Sequence, residues 1–327
     1  MSYKHGGFHD VCLEYEVVTA EGEVLVCTPA NEHQEIFQMV HGTFGTLGII
    51  TRLKFKLIPA KPYVHIRYEK YTTLEEYKAA IWHHFEKQDI DFMDGIIHNP
   101  QEYVLSVGDF ADSAPYTNQY GWMKIYYRST KERTDDYLRT PDYFFRYDQG
   151  VTGVGPESFL CRLLFGRLLL SSNKLKLAKV LHRFLPERII PITLDLFVPY
   201  KNLSAFLDWY GKELNYFPLW CVPYRPARDY EWIDDTYMDR IRDPLFIDLA
   251  IYGMKKENGK NIYRTLEEGL IKHGGIKTLI SENYYDEEEF WSLFNRKNYD
   301  AIKRVTDPHN KFRNLYTKTC RTMRGLD

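Results

Sequence analysis

Glycine stands at every third position of Gly42-Thr43-Phe44-Gly45-Thr46-Leu47-Gly48, between a short helical stretch at residues 31–40 and the strongly β-patterned run IITRLKFKLI. Because glycine lacks Cβ and accepts positive φ, such a loop either lets backbone come close to something flat or serves packing alone. The order of elements excludes the two common phosphate loops. A dinucleotide fingerprint leaves a strand and opens a helix, and a P-loop ends in G-K-[ST]. Here the glycines leave a helix and enter a strand, so no helix N-terminus waits for a phosphate. In the run that follows, Leu53, Phe55 and Leu57 alternate with Arg52, Lys54 and Lys56, the period of a strand with one apolar face. Ahead of the loop, EYEVV and EVLVC flank Ala20-Glu21-Gly22 and read as a hairpin. Pro59 and Pro62 end this β-rich unit, which places a domain boundary at residue 60.

Beyond Pro62 the order becomes strand (VHIRYE), helix (74–87), and two strands (DFMDGIIH, YVLSVGDF) joined at Asn99-Pro100. It recurs as ITLDLFVP, a helix at 203–214, PLWCVPY and LFIDLAIY, followed by a helix at 262–273 and the strand KTLI. Two β-α-β-β units predict an α+β fold, with an antiparallel sheet covered by helices on one face over residues 61–327. Asp286 and Glu289 are spaced as an N-cap and its partner at the start of the C-terminal helices. The formal net charge of -2 gives no chain-wide reason to expect nucleic acid. Five scattered cysteines without a C-x-x-C pair suggest buried thiols in a reducing compartment, and no histidine spacing suggests a metal. No signal peptide or transmembrane stretch is read, so the expected location is the cytoplasm or the cytoplasmic face of a membrane.

The run HGTFGTLGIITRLKFKLIPAKPYVHIRYE resembles the end of the flavin domain in FAD oxidoreductases of the vanillyl-alcohol-oxidase (VAO) type, whose loop reads G-[ST]-x-G-T-L-G-[IV]-[IV]-T. With the upstream SYKHGGFHDVCLEYEVV, and with DFMDGIIH, PLWCVPY, LFIDLAIYG and ENYYDEEEFWSLF further on, the chain resembles the Δ24-sterol reductase family (diminuto or seladin-like proteins) along nearly its whole length. The resemblance makes residues 1–60 the later part of a PCMH-type FAD-binding domain and residues 61–327 the substrate, or cap, domain. It implies FAD as cofactor and NADPH as reductant. In that family the pyrophosphate-binding subdomain precedes the S-x-K-x-G element at which this sequence starts, so a separate polypeptide carrying the first half of the flavin site is an expected partner.

By the same resemblance Ser2, Lys4 and Gly6 contact the flavin, together with Gly42, Gly45, Thr46, Gly48 and Ile49 of the loop. Lys4 could balance a negative reduced ring; without the resemblance this stretch reads as a solvated terminus. Arg146 and Asp148, within DYFFRYD, could form a pair that positions substrate or nicotinamide, or one that ties down a long loop. Tyr284, ahead of the Asp286 cap, could relay a proton to an alkene carbon, or it packs with Tyr285. Residues 156–190 hold seven Lys+Arg against two Glu and read as a basic amphipathic helix, suited to an anionic membrane or to a solvated face of the cap. The expected function is reduction of a carbon–carbon double bond of a sterol or other lipid by hydride from reduced flavin. The competing one is a non-catalytic remnant or interaction module of a flavoprotein.

Overall fold

The computed structural model describes residues 2–120, 124–148, 160, 163–164, 192–255 and 259–326. Two antiparallel sheets organise it. The first has β1 (Cys12–Val18) between β2 (Val24–Cys27) and β3 (Ile49–Phe55), with the short helix α1 (Gln34–Met39) on the connection. The register sets Tyr15 opposite Cys27 and Leu53, and Val17 opposite Leu25 and Ile50, so these residues share one face. Glu16 and Arg52 share the other, where they pair at 3.0 Å. That is the alternation expected of β3, although Leu57 lies beyond the strand and is exposed.

The second sheet has eight strands. Its first β-α-β-β unit is β4 (Tyr63–Tyr71), α2 (Leu74–Lys87), β5 (Phe92–Asn99) and β6 (Glu102–Ala111). Between the units come α3 (Tyr126–Glu132), β7 (Asp135–Arg139) and α4 (Thr140–Phe144). The second unit is β8 (Ile192–Pro199), α5 (Leu203–Glu213), β9 (Leu219–Tyr224), α6 (Asp235–Ile241) and β10 (Phe246–Met254), followed by α7 (Ile262–His273) and β11 (Ile276–Lys277). The strand order is β11-β8-β10-β9-β5-β6-β4-β7, so the two units meet edge to edge where β9 pairs with β5. KTLI keeps only its first residue in a strand; Thr278 leaves the ladder, and the chain turns back towards the cavity described below.

Local sequence explains the helices that cover one face. Thr73 caps α2 by accepting from the amide of Glu76, Gln88 ends it in the left-handed region, and Tyr77, Ile81 and Phe85, spaced four apart, are buried. They meet Phe206 and Tyr210 of α5 and Leu266 and Leu270 of α7 over Leu194, Leu196, Leu249 and Ile251 of the sheet. Each such side chain, fully buried, contributes about 1.5–3 kcal/mol. The opposite face is polar and aromatic at β5 and β9, with Asp94 and Trp220.

A second core crosses the boundary expected at residue 60. Tyr15, Val17 and Phe37 of the first sheet unit pack with Phe290 of α8 (Glu287–Leu293), Tyr299 and Ile302 of α9 (Arg296–Thr306), and Leu315. The amide of Ala20 donates to the carbonyl of Thr306 at 2.9 Å. The Asp286–Glu289 capping box is formed as expected. Cys12, Cys27, Cys221 and Cys320 are buried free thiols. Among the described residues no helix is long and apolar enough to cross a membrane. The basic stretch at 156–190 lies outside the described residues apart from Leu160, Leu163 and Leu164.

Candidate functional site

A cavity of about 590 Å³ lies between the first sheet, the glycine loop and the β8–β10 end of the large sheet. The loop contributes Gly42, Thr43 and Phe44; β8, β9 and β10 contribute Phe197, Tyr224 and Phe246. Trp291 and Phe294 also line it, and His9 and His41 form a polar end beside Trp232, whose ring centroid is 6.4 Å from that of His41. The walls are largely apolar and rich in aromatic side chains, which suits a flat or elongated apolar ligand.

The loop residues divide by role. Gly42 has φ +71, lines the cavity, and nothing lies within 4 Å of where its side chain would be, so backbone there faces open space. Gly45, Thr46, Gly48 and Ile49 do not line the cavity. Thr46 is buried, its Oγ1 donates to the carbonyl of Thr43 at 2.8 Å, and its own carbonyl accepts from Lys303 Nζ at 2.8 Å. A side chain at Gly48 would stand 2.6 Å from Val17 Cγ1. Ile49 pairs with Val18 on the outward face and is 48% exposed. These four shape the loop.

The N-terminal element is a closed turn. The amide of Ser2 donates to the carbonyl of Gly6 at 2.9 Å, the amide of Gly6 donates back to Ser2 at 3.0 Å, and Ser2 Oγ accepts from the amide of Lys4 at 3.0 Å. Lys4 Nζ is 3.7 Å from Asp91, and a side chain at Gly6 would come within 2.5 Å of Asp10 Oδ2. None of Ser2, Lys4 and Gly6 lines the cavity; the next residues, Gly7, Phe8 and His9, do.

At the polar end Asp10 is buried, and its Oδ2 accepts from the amide of Gly7 at 2.7 Å and from the hydroxyls of Tyr230 at 2.8 Å and Tyr224 at 3.1 Å. The two hydroxyls also contact each other. Burial first, and then Asp10, push both phenols far above their usual range, Tyr224 helped and Tyr230 opposed by the contact between the two hydroxyls, so they stay neutral. His9 and His41 stack with centroids 4.3 Å apart and 4° between planes. Burial, then any charge on His9 and that on Arg228, push His41 down to about 3; burial also lowers His9 against the pull of Asp10.

The three residues expected to be catalytic sit elsewhere. The Arg146 guanidinium is buried, pairs with Asp94 at 2.9 Å, and lies 3.9 Å from the centroid of Tyr143 and 4.7 Å from that of Tyr147. Asp94 also accepts from Trp220 Nε1 at 2.9 Å and from the Tyr147 hydroxyl at 2.5 Å. The amide of Asp148 donates to the carbonyl of Phe145 at 2.9 Å. Tyr284 donates to Glu282 at 2.8 Å, its amide donates to Glu267, and burial pushes its phenol up to about 12. None of the three lines the cavity. His9, Asp10, His41, Tyr230 and Trp232 are the site residues that sequence reasoning passed over. The histidines stand at no motif spacing, and FHD lies two residues past the S-x-K-x-G element, outside any motif.

No family model matches the chain. Among curated proteins it is 26% identical to the human Delta(24)-sterol reductase over 348 residues, which cover 99% of this chain and 66% of that protein. The Arabidopsis thaliana reductase is 22% identical and matched over 97% of this chain and 64% of its own length. The chain therefore spans about two thirds of the length of these reductases. A shorter similarity, 30% over 136 residues, joins 38% of the chain to cytokinin dehydrogenase 8 of Oryza sativa subsp. indica. Among solved structures, a VAO-type flavoprotein from Myceliophthora thermophila C1 superposes with a TM-score of 0.55 at 15% identity, covering 94% of this chain and 56% of that one. The fold is that of a VAO-type flavoprotein, as the loop sequence implied.

Proposed function

We propose that this chain forms the substrate-binding and ring-facing part of an FAD-dependent oxidoreductase that reduces a carbon–carbon double bond of a sterol or other lipid, with NADPH as the source of electrons. The observation that carries the reading is the aromatic cavity against the Gly42–Phe44 backbone, in a chain similar over 99% of its length to Δ24-sterol reductases. The lining fits the ring end of a flavin, because open space in front of Gly42 admits a planar group against backbone. Its described lining offers little to a diphosphate: among the described residues Lys277 is the one Lys or Arg that lines it, and its ammonium is buried against Glu267 at 2.9 Å. The diphosphate would then be held by polypeptide outside residues 1–327, the expected first half of the flavin site. Bound flavin would supply hydride; this chain's residues would exclude water from the ring face, orient the apolar substrate among the aromatics and provide the proton that an unactivated alkene needs.

The test is spectroscopic. Alone, the chain is expected to bind FAD weakly and stay nearly colourless. Together with a polypeptide bearing the pyrophosphate loop, it is expected to form a yellow complex that NADPH bleaches and a sterol with an unsaturated side chain recolours under anaerobic conditions. A complex that bleaches but is not reoxidised by the sterol overturns the proposed substrate. Failure to bind FAD in either form favours the non-catalytic alternative.

A further inference from the structure

The polar end of the cavity contains an arrangement built around His9. His9 Nε2 lies 3.5 Å from Asp10 Oδ1, close enough for a charge contact but not hydrogen-bonded; neither atom has a hydrogen-bond partner among the described residues, and Arg228 Nη1 stands 3.8 Å from the same Oδ1. Asp10 is fixed on its other oxygen by Gly7, Tyr224 and Tyr230, so the carboxylate is held in place for the ring. The plane of the His9 ring is set by the stacked His41 and by the edge of Tyr230, with centroids 5.1 Å apart. A side chain at Gly7 would stand 2.9 Å from His9 Nδ1 and 2.7 Å from Cε1. Gly7 has φ -81, a backbone open to any residue, so the absent side chain matters for space: it leaves the Nδ1 edge uncovered beside the cavity that Gly7 and His9 both line.

We propose that His9 is the proton-transferring group of this cavity and that Asp10 and His41 are the residues that position it. A histidine with a carboxylate beside one ring nitrogen and the other nitrogen open is the general arrangement of acid–base histidines, and a contact as long as this one is of the kind that tightens when a ligand binds. The role rests on the reductase reading. In that reaction hydride from a reduced flavin forms a C–H bond at one alkene carbon. The π pair takes the proton from His9 Nδ1 at the other carbon, so the alkene is reduced and the flavin oxidised. His9 is left neutral with Nε2–H towards Asp10, and regains its proton from water. The groups facing the ring are Asp10, which favours the imidazolium, Arg228, 3.8 Å from Asp10 and itself paired with Glu231 at 3.2 Å, and the neutral His41, Tyr224 and Tyr230. Burial outweighs Asp10, so the imidazolium grows in only below the ordinary histidine range, and sterol-driven flavin reoxidation is expected to quicken as pH falls through it.

Two measurements test this separately. Nitrogen-15 NMR of the chain without flavin is expected to show neutral His9 as the Nε2–H tautomer, and Asp10→Asn to lower its pKa further. An Nδ1–H tautomer, or a titration indifferent to Asp10→Asn, overturns the positioning whatever the activity. In the flavin-reconstituted protein, His9→Gln is expected to slow reoxidation by the sterol roughly 100-fold and flatten its pH profile, while NADPH still bleaches the flavin at the wild-type rate. Gly7→Ala, whose φ is open to any residue but whose methyl presses on the Nδ1 edge of the packed His9 ring, is expected to slow the same step at least tenfold while NADPH still bleaches the flavin. Unaltered reoxidation and pH profile in both variants overturn the role of His9. A wild type that bleaches but never reoxidises faults the reductase reading, takes the proton-transfer role with it, and leaves the NMR result to decide the dyad.

Discussion

Gly48 excludes a side chain twice over, through φ +142 and through a Val17 methyl 2.6 Å from the position of a Cβ, whereas Gly42 excludes one only through φ +71. Gly48→Ala is therefore expected to lose about 1–3 kcal/mol of stability in urea unfolding. Gly42→Ala is expected to lose about 1–2 kcal/mol and also to weaken flavin binding, because its methyl enters the cavity. His41 sets a pH dependence. Its folded-state pKa is lowered, so the unfolded chain takes up a proton below about 6.5 that the folded chain refuses down to about 3, and stability falls as pH drops through that window. Between pH 7 and pH 5 the loss from this residue is expected to be about 2 kcal/mol, and His41→Phe, which keeps a ring over His9, is expected to remove it from the difference between the two urea midpoints. The sequence displayed the glycines because their spacing is local. It did not display the division between Gly42, which faces the cavity, and Gly45 and Gly48, which do not, because that depends on Val17 and on the C-terminal residues packed behind the loop.

Elements whose apolar period matched their environment were legible: the helix read at 74–87 is α2, the strand ITLDLFVP is β8, and the helix at 262–273 is α7. The described residues 140–148 between the two β-α-β-β units were not, because a tertiary device holds them. Arg146 sits among Tyr126, Tyr143 and Tyr147 and neutralises Asp94 of β5, which fastens α4 and residues 145–148 to the large sheet. No periodicity announces a partner 52 positions away in sequence. Arg146→Met leaves the buried Asp94 with only neutral donors, Trp220 and Tyr147, and is expected to destabilise the fold by about 3–5 kcal/mol in urea unfolding. A residue that positioned ligand without holding the fold would instead lower turnover at an unchanged midpoint. A normal unfolding curve for Arg146→Met would return this residue to the candidate site.

At the scale of the whole molecule, charge is uneven: the chain balances to -2, yet residues 156–190 hold seven Lys+Arg against two Glu, a local +5. A lipid-modifying enzyme must take its substrate from a bilayer, and a basic stretch threaded with leucines suits the surface of an anionic one. Each Lys or Arg that reaches the surface contributes about 1 kcal/mol, and the attraction fades as added salt shortens the screening length. The chain is therefore expected to sediment with phosphatidylserine-containing vesicles at low salt, to be released as salt rises, and to ignore purely neutral vesicles. Reversing Lys174, Lys176 and Lys179 to Glu changes the local balance from +5 to -1, because each reversal removes two charges, and is expected to abolish sedimentation without altering flavin binding. A wild-type chain that stays in the supernatant at low salt assigns this stretch to the solvated side of the cap. Binding that survives both salt and the triple reversal would instead place the contact among exposed apolar side chains such as Phe8, Phe55 and Ile280.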